Sequence, residues 1–139
     1  MTGLDVFDTT VHKTHTWLQE IMQELGWDDR HKAYLGLRTT LHALRDRLPV
    51  EEMAQLGAQL PMLIRGLYYE GWSPTGHPTK VRHTAAFLAP IRAHFQEEWR
   101  VDPDEIARAV LKVLTRHVSE GEIADVKHCL PTELRTLWP

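Results

Sequence analysis

The feature that most constrains this chain is a segment that occurs twice. Residues 60–68, LPMLIRGLY, are echoed by residues 130–138, LPTELRTLW, at an offset of 130 − 60 = 70 positions in a chain of 139 residues. At the same offset the alignment pairs Leu41 with Leu111, Leu44 with Leu114, Glu52 with Glu122, Met53 with Ile123 and Ala54 with Ala124. A repeat of this length that includes apolar positions predicts two related structural halves.

Helical periodicity runs through both halves. In residues 5–25 the apolar positions are three, four or seven apart: Phe7, Val11, Leu18, Ile21 and Leu25. This spacing predicts an amphipathic helix. Comparable spacing predicts helices over about 28–48, 50–60, 62–69, 84–99, 103–118 and 120–128, and a final turn over 131–138. The predicted fold is therefore all-α, a tandem duplication of a roughly four-helix unit that forms one compact, bundle-like domain.

Local signals predict where the helices begin and end. Gly26 is a C-terminal stop, and Asp102 followed by Pro103 reads as a cap and a first-turn proline. Ser119 with Glu122 has the spacing of a capping box. Two glycines and two prolines fall within the eight positions 71–78, which predicts an irregular connection. The predicted organisation is a first repeat over 1–70, a joint over 71–83 and a second repeat over 84–139, together one globular domain.

Composition narrows the classes of function. The net charge is −3 and charged residues make up 25% of the chain, so the basic excess typical of nucleic-acid binding proteins is missing. The single cysteine, Cys129, has no partner for an internal disulfide. The first residues have no signal-peptide pattern, and no apolar run approaches the roughly 20 residues that cross a bilayer. We expect a cytoplasmic protein that binds neither nucleic acid nor membrane.

Histidine is abundant, and one arrangement has metal-ligand spacing. Asp8, His12 and His15 are four and three residues apart, so they share one face of the first predicted helix and offer a carboxylate and two imidazoles to a divalent ion. A solvated helix surface is the favoured interpretation, since a metal site requires further ligands that the sequence does not mark. Glu122, Asp125 and His128 form a second row with metal-ligand residue types, and a helix surface is the favoured interpretation there as well. No cofactor is predicted.

No catalytic set of residues is visible in the sequence. Cys129 as a nucleophile needs a base and a lowered pKa, and adjacency to His128 supplies neither, so a structural cysteine is favoured. The glycines lack the setting of a phosphate-binding loop. An enzyme with a site assembled between the repeats stays open as an alternative, because sequence spacing cannot reveal such a site.

The segment that leads into the joint, residues 65–72, contains the best candidate for an interaction surface. Arginine and aromatic residues are common anchors of protein interfaces, and Arg65, Tyr69 and Trp72 are of these types. Tyr68 is interpreted instead as packing between the halves, because consecutive helical positions cannot all face one core. A small basic cluster lies at the end of the joint and just beyond it, formed by Lys80, Arg82, His83 and Arg92. It suits a phosphate-bearing ligand or an acidic partner, or is a solvated surface.

Three segments carry a resemblance to a known family. They are residues 11–18 (VHKTHTWL), residues 58–72 (AQLPMLIRGLYYEGW) and the end of the chain from Leu130 to Pro139. Together they resemble the bacterial family called domain of unknown function 2267, over nearly the whole chain. The resemblance implies an all-helical protein without an assigned activity, and it provides no catalytic residues to carry over.

These observations leave the function open. The favoured hypothesis is a non-enzymatic helical protein that acts through association with another protein or with itself. The alternatives are a divalent-metal-binding protein that uses Asp8, His12 and His15, and an enzyme with its site between the repeats.

Overall fold

The computed structural model describes residues 2–79, 82–96, 98 and 100–139. It contains eight helices: α1 (Asp5–Leu25), α2 (Arg30–Arg45), α3 (Val50–Ala58), α4 (Met62–Tyr69), α5 (Thr84–Ala93), α6 (Pro103–His117), α7 (Glu120–His128) and α8 (Thr132–Arg135). The described residues include no strand, which confirms the all-α prediction.

Local chemistry sets several helix ends. Gly26 ends α1 in the left-handed region, with φ 68°, which glycine adopts without steric cost. Asp29 caps α2 by accepting a hydrogen bond from the amide of Lys32. Asp102 and Ser119 cap α6 and α7 in the same manner, as the sequence predicts.

The long helices build the core and the short helices close it. Helix α2 packs against α1, α4, α5 and α6, while α6 also packs against α1 and α5. The centre is apolar and fully buried, and it includes Leu37, Leu41, Leu44, Val110 and Leu114 at 1% exposure or less. Helix α3 packs against α7, so short helices from the two parts of the chain meet.

The turns α3–α4 and α7–α8 have the same construction. Pro61 and Pro131 directly precede α4 and α8. Arg65 donates from Nε to the carbonyl oxygen of Gly57 (2.9 Å) and from Nη2 to that of Leu60 (2.9 Å). Seventy positions later, Arg135 donates from Nε to the carbonyl oxygens of Lys127 (2.9 Å) and Leu130 (3.0 Å). The matching geometry accords with two related halves, whereas the tandem duplication itself stays a prediction.

The structure corrects the predicted extent of α5. This helix ends at Ala93, not near Trp99, which lies outside the described residues. Pro90 has no amide hydrogen and removes one helical hydrogen bond. Beyond it the amides of His94 and Phe95 bond to carbonyls three residues back, at 3.2 and 3.0 Å, so the chain tightens into turns.

The structure also corrects the inward face of α1 and the capping box of α7. Phe7 was predicted to face inward but is 46% exposed, because the first turns of α1 extend beyond the core. Trp17, absent from the predicted stripe, is buried instead. The amide of Ser119 donates to Oε1 of Gln59 at 2.8 Å, which takes the role predicted for the Glu122 side chain. Glu122 is buried.

Candidate functional site

The described surface exposes one group of large apolar side chains, where the start of α1 lies beside α4. Six large hydrophobic residues of the described chain are 46–54% exposed, and five of them belong to this group: Leu4, Val6, Phe7, Met62 and Leu63. We call this group the α1/α4 face. Clustered exposed apolar residues of this kind mark binding surfaces more often than scattered ones.

A hydrogen bond holds the two helices of the α1/α4 face together. Pro61 precedes α4 and has no side-chain group to cap it. Thr10, which is 9% exposed, accepts a hydrogen bond from the amide of Leu63 at 2.8 Å through its hydroxyl oxygen. This bond satisfies one of the free first-turn amides of α4 and fixes the distance between the helices.

A cavity of about 640 Å³ opens between the helices of the face. Its lining is mainly apolar and includes Phe7, Val11, Tyr34, Leu63 and Leu67. Glu70 lies at its edge, where Arg38 binds its carboxylate at 2.7 Å and lowers its pKa. Apolar walls with a charged edge suit an apolar side chain or helix of a partner better than a polar substrate.

The structure separates the three interaction residues predicted at the joint. The guanidinium of Arg65 binds backbone carbonyls at the end of α3, so it has a structural task. Tyr69 is half-buried against the core, and its hydroxyl lies over Gly57, 2.4 Å from where a Cβ would stand. Trp72 is also half-buried and lies beside the His77 ring, with 6.4 Å between ring centroids. The exposed apolar side chains lie at the other end of α4, and a role of Arg65, Tyr69 and Trp72 in association stays a prediction.

Asp8, His12 and His15 share one side of α1, as predicted. Together with Val11 they line a shallow depression, and both imidazoles are exposed. The Asp8 carboxylate accepts hydrogen bonds from the amide (2.9 Å) and hydroxyl (2.8 Å) of Thr2, which lower its pKa. Metal binding by these residues stays a prediction.

A different group of carboxylates comes together between α3 and α7. Glu52, Glu122 and Asp125 each place one oxygen within 4.8 Å of the others, and they form the one such group of metal-ligand residues in the described ranges. Burial, with the adjacent carboxyl of Glu52, raises the pKa of Glu122 to about 8. Glu122 therefore holds a proton at neutral pH, and a metal ligand must release it. The arrangement favours a structural acid pair over a metal site.

Cys129 lies next to this acid pair. Its Sγ is 4.0 Å from Oε1 of Glu52, and the thiol is half-buried. Burial, with the neighbouring carboxylates, raises the pKa of the thiol. A protonated thiol is a weak nucleophile, so this environment agrees with the structural interpretation of Cys129.

The sequence contained a signal for the α1/α4 face that its pattern alone could not separate from a core signal. Leu4, Phe7 and Val11 continue the apolar stripe that Leu18 and Ile21 begin in the core. Periodicity shows which side of a helix is apolar, but it does not show where the protein that covers that side ends. The sequence likewise did not indicate that Glu52 pairs with Glu122, because the two residues are 70 positions apart.

Comparison with known proteins supports the resemblance noted in the sequence. No helix within the described ranges combines the length and hydropathy that a membrane span needs. A search of curated proteins found no match. The family described as "Uncharacterized conserved protein (DUF2267)" matches residues 14–137, which is most of the chain. The protein therefore belongs to the DUF2267 family, as residues 11–18, 58–72 and 130–139 had indicated.

Proposed function

We propose that this protein is a non-enzymatic binding module that associates with a second copy of itself through the α1/α4 face. The observation that supports this most is the gathering of five large exposed apolar side chains on one face. Covering such side chains removes apolar area from water at about 25 cal/mol per Å², which is the main driving force of association. A cytoplasmic setting is part of this proposal.

The apolar stripe of α1 supports a helical partner. Leu18 and Ile21 are 7% and 0% exposed inside the core, whereas Leu4 and Phe7 on the same stripe are 54% and 46% exposed. The spacing 4, 7, 11, 18, 21 suits packing against another helix over its whole length. The chain itself covers the second part of the stripe and leaves the first part for a partner.

The charges beside the stripe favour a second copy as that partner. Asp5 and Asp8 lie at the start of α1, while His12 and His15 follow on the same side of the helix. In a symmetric dimer each interface patch meets its own copy. If two α1 helices pack antiparallel, the carboxylates of each lie beside the histidines of the other and can accept hydrogen bonds from imidazole N–H groups.

Sedimentation equilibrium of the full chain tests the proposal. The wild type is expected to dimerise, and Phe7→Glu or Leu63→Glu should yield monomers, because each places a charge in the buried interface. Val50→Glu is the matched control, since Val50 is 51% exposed but lies at the start of α3, outside the face. A monomeric wild type at several hundred micromolar would refute the proposal, as would equal loss of dimer in the Val50→Glu variant.

Divalent-metal binding by Asp8, His12 and His15 is the second candidate, supported by their shared depression on α1. Zinc titration by calorimetry tests it. Binding should disappear in the double variant His12→Ala, His15→Ala and persist in the control His31→Ala, an exposed histidine at the start of α2. Unchanged zinc affinity in the double variant would exclude this site.

A further inference from the structure

A basic cleft lies where the end of α2 and the joint meet the turn between α7 and α8. Its volume is about 620 Å³. Twelve residues line it, and five of them are cationic or titrate to a cation: Arg47, His77, Arg82, His128 and Arg135. No carboxylate is among the twelve, although the chain as a whole has a net charge of −3. Positive charge is thus concentrated in a concave part of an acidic protein.

Arg47 has little compensation for its charge. Its Nη1 donates to the carbonyl oxygen of Ala43 at 2.9 Å, and its guanidinium carbon lies 5.0 Å from the centre of the Phe87 ring. Within the described chain, Nε is buried and has no hydrogen-bond partner. Burial lowers the pKa of the guanidinium, and Asp46 acts in the opposite direction. A half-buried cation that has lost part of its hydration is stabilised when an anion approaches it.

Asp46 lies close to several basic side chains at once. It binds Nε of Arg45 at 2.9 Å and faces Nε2 of His77 at 3.4 Å. The same carboxylate also acts electrostatically on Arg47. One acid therefore balances two arginines and a histidine, which leaves positive charge at the mouth of the cleft.

The other two arginines of the cleft add to this charge. Arg135 donates to the carbonyl oxygens of Lys127, Leu130 and His128, which are neutral partners. Arg82 is exposed at the rim. Among the described residues, no carboxylate oxygen lies within 4.0 Å of a nitrogen of Arg47, Arg82 or Arg135.

The corresponding cleft of the first half is different. It has a volume of about 470 Å³ and is lined by Lys13, Arg65 and His117 among others. There His117 occupies the position equivalent to Arg47, at an offset of 117 − 47 = 70. Nε2 of His117 lies 2.5 Å from Oε2 of Glu20, so an acid already satisfies it. The surplus of arginine is a property of the second cleft.

We propose that the cleft formed by Arg47, Arg82 and Arg135 binds a small organic molecule that carries a phosphate group. Guanidinium groups donate charge-assisted hydrogen bonds to phosphate oxygens. The exposed Arg82 and the Thr132 hydroxyl offer donors on the lining, while Arg135, whose Nε and Nη2 bind carbonyl oxygens, adds positive charge. Exposed apolar lining residues such as Pro49 and Pro78 can contact the organic part of the ligand. The volume lies within the range of about 300–1,000 Å³ that small-molecule sites occupy. The assignment does not depend on self-association.

The test is a titration of the ¹⁵N-labelled full chain with inorganic pyrophosphate, followed by NMR at low and constant ionic strength. Saturable shifts are expected at the amides of Thr79, Cys129 and Thr132. Arg47→Gln and Arg82→Gln should each weaken binding about tenfold or more, because each removes a charged hydrogen-bond donor. Arg30→Gln is the matched control, because Arg30 lies at the start of α2, roughly 22 Å from the end of that helix. This variant should keep the affinity for pyrophosphate within about twofold of the wild-type value.

Three results would overturn the assignment. The first is the lack of saturable shifts at these amides. The second is an equal loss of affinity in Arg30→Gln, which would indicate diffuse attraction to the whole surface. The third is equal affinity for sulfate and acetate, which would show that the cleft responds to charge and does not select phosphate. Arg82→Gln alters an exposed residue, so its result stands even if Arg47→Gln unfolds the protein.

Discussion

The carboxyl groups of Glu52 and Glu122 meet where α3 packs against α7, within 4.8 Å of each other and of Asp125. Glu122 is 7% exposed, and its pKa rises to about 8, chiefly because of burial and then because of Glu52. A proton held between two acids removes most of the repulsion that two buried carboxylates would have. The contact between the two halves therefore depends on pH.

The first prediction is that stability falls as the pH rises from about 6.5 to 8, above the range in which the lowered pKa of His42 acts in the opposite direction. The folded state holds a proton on Glu122 up to about pH 8, whereas the unfolded state loses it near its ordinary pKa of 4.5. Between these values the folded state binds more protons, so the free energy of unfolding decreases with pH and levels off above pH 8. Urea denaturation should show a loss on the order of 2 kcal/mol over this window.

Substitution of Glu122 isolates its part in this effect. Glu122→Gln keeps the shape of the side chain and a donor toward Glu52, so it should raise the free energy of unfolding at pH 8 and flatten the slope. Glu120→Gln, an exposed residue on the same helix, should keep the wild-type slope. If Glu122→Gln retains the full slope, the acid pair is not its source.

The second prediction concerns the hydrogen bond from the amide of Leu63 to the hydroxyl of Thr10. Thr10→Val is nearly isosteric but leaves a first-turn amide of α4 unpaired, so it should lower the free energy of unfolding by about 1 kcal/mol. Thr9→Val, one residue earlier and exposed, should change it little. The urea midpoints of the two variants are the measurement, and equal midpoints would contradict the role of Thr10.

Local signals of the sequence carried over well to the structure. Gly26, Asp102 and Ser119 end or begin helices where predicted, because each acts through backbone groups only a few residues away. The bounds predicted for α1 and α4 agree with those observed for the same reason.

Features that depend on distant residues did not carry over. Gln59 replaces Glu122 as the partner of the Ser119 amide, across 60 positions of sequence. Arg65 is of a residue type that is common at interfaces. Its guanidinium lies at the end of α3 and donates hydrogen bonds to carbonyl oxygens there, which the sequence did not indicate. The basic cleft joins Arg47 to Arg135 across 88 positions, 135 − 47, so the local basic cluster of the sequence indicated only Arg82 among its three arginines.

The third prediction uses two glycines with opposite surroundings. A Cβ on Gly57 would lie 2.4 Å from the hydroxyl and 2.8 Å from Cζ of Tyr69, whereas a Cβ on Gly66 would meet nothing within 4 Å. Gly57→Ala should therefore lower the free energy of unfolding by about 1–2 kcal/mol, because the Tyr69 ring must leave its place on the core. Gly66→Ala should raise it by up to about 1 kcal/mol through helix propensity. Thermal and urea denaturation should give these opposite signs, and the same sign for both would contradict the position of Tyr69.

The fourth prediction separates a structural role of Arg65 from a role in association. Arg65→Ala removes hydrogen bonds to the carbonyl oxygens at the end of α3, and Arg135→Ala removes the equivalent bonds at the end of α7. Each variant should lose about 1 kcal/mol in urea denaturation. Lysine cannot reproduce the planar pair of donors, so Arg65→Lys should be destabilised nearly as much as Arg65→Ala despite keeping its charge.

Because these bonds are internal, sedimentation of the Arg65 variants should find the same association state as in the wild type. A normal urea midpoint combined with altered association would instead place Arg65 at an interface.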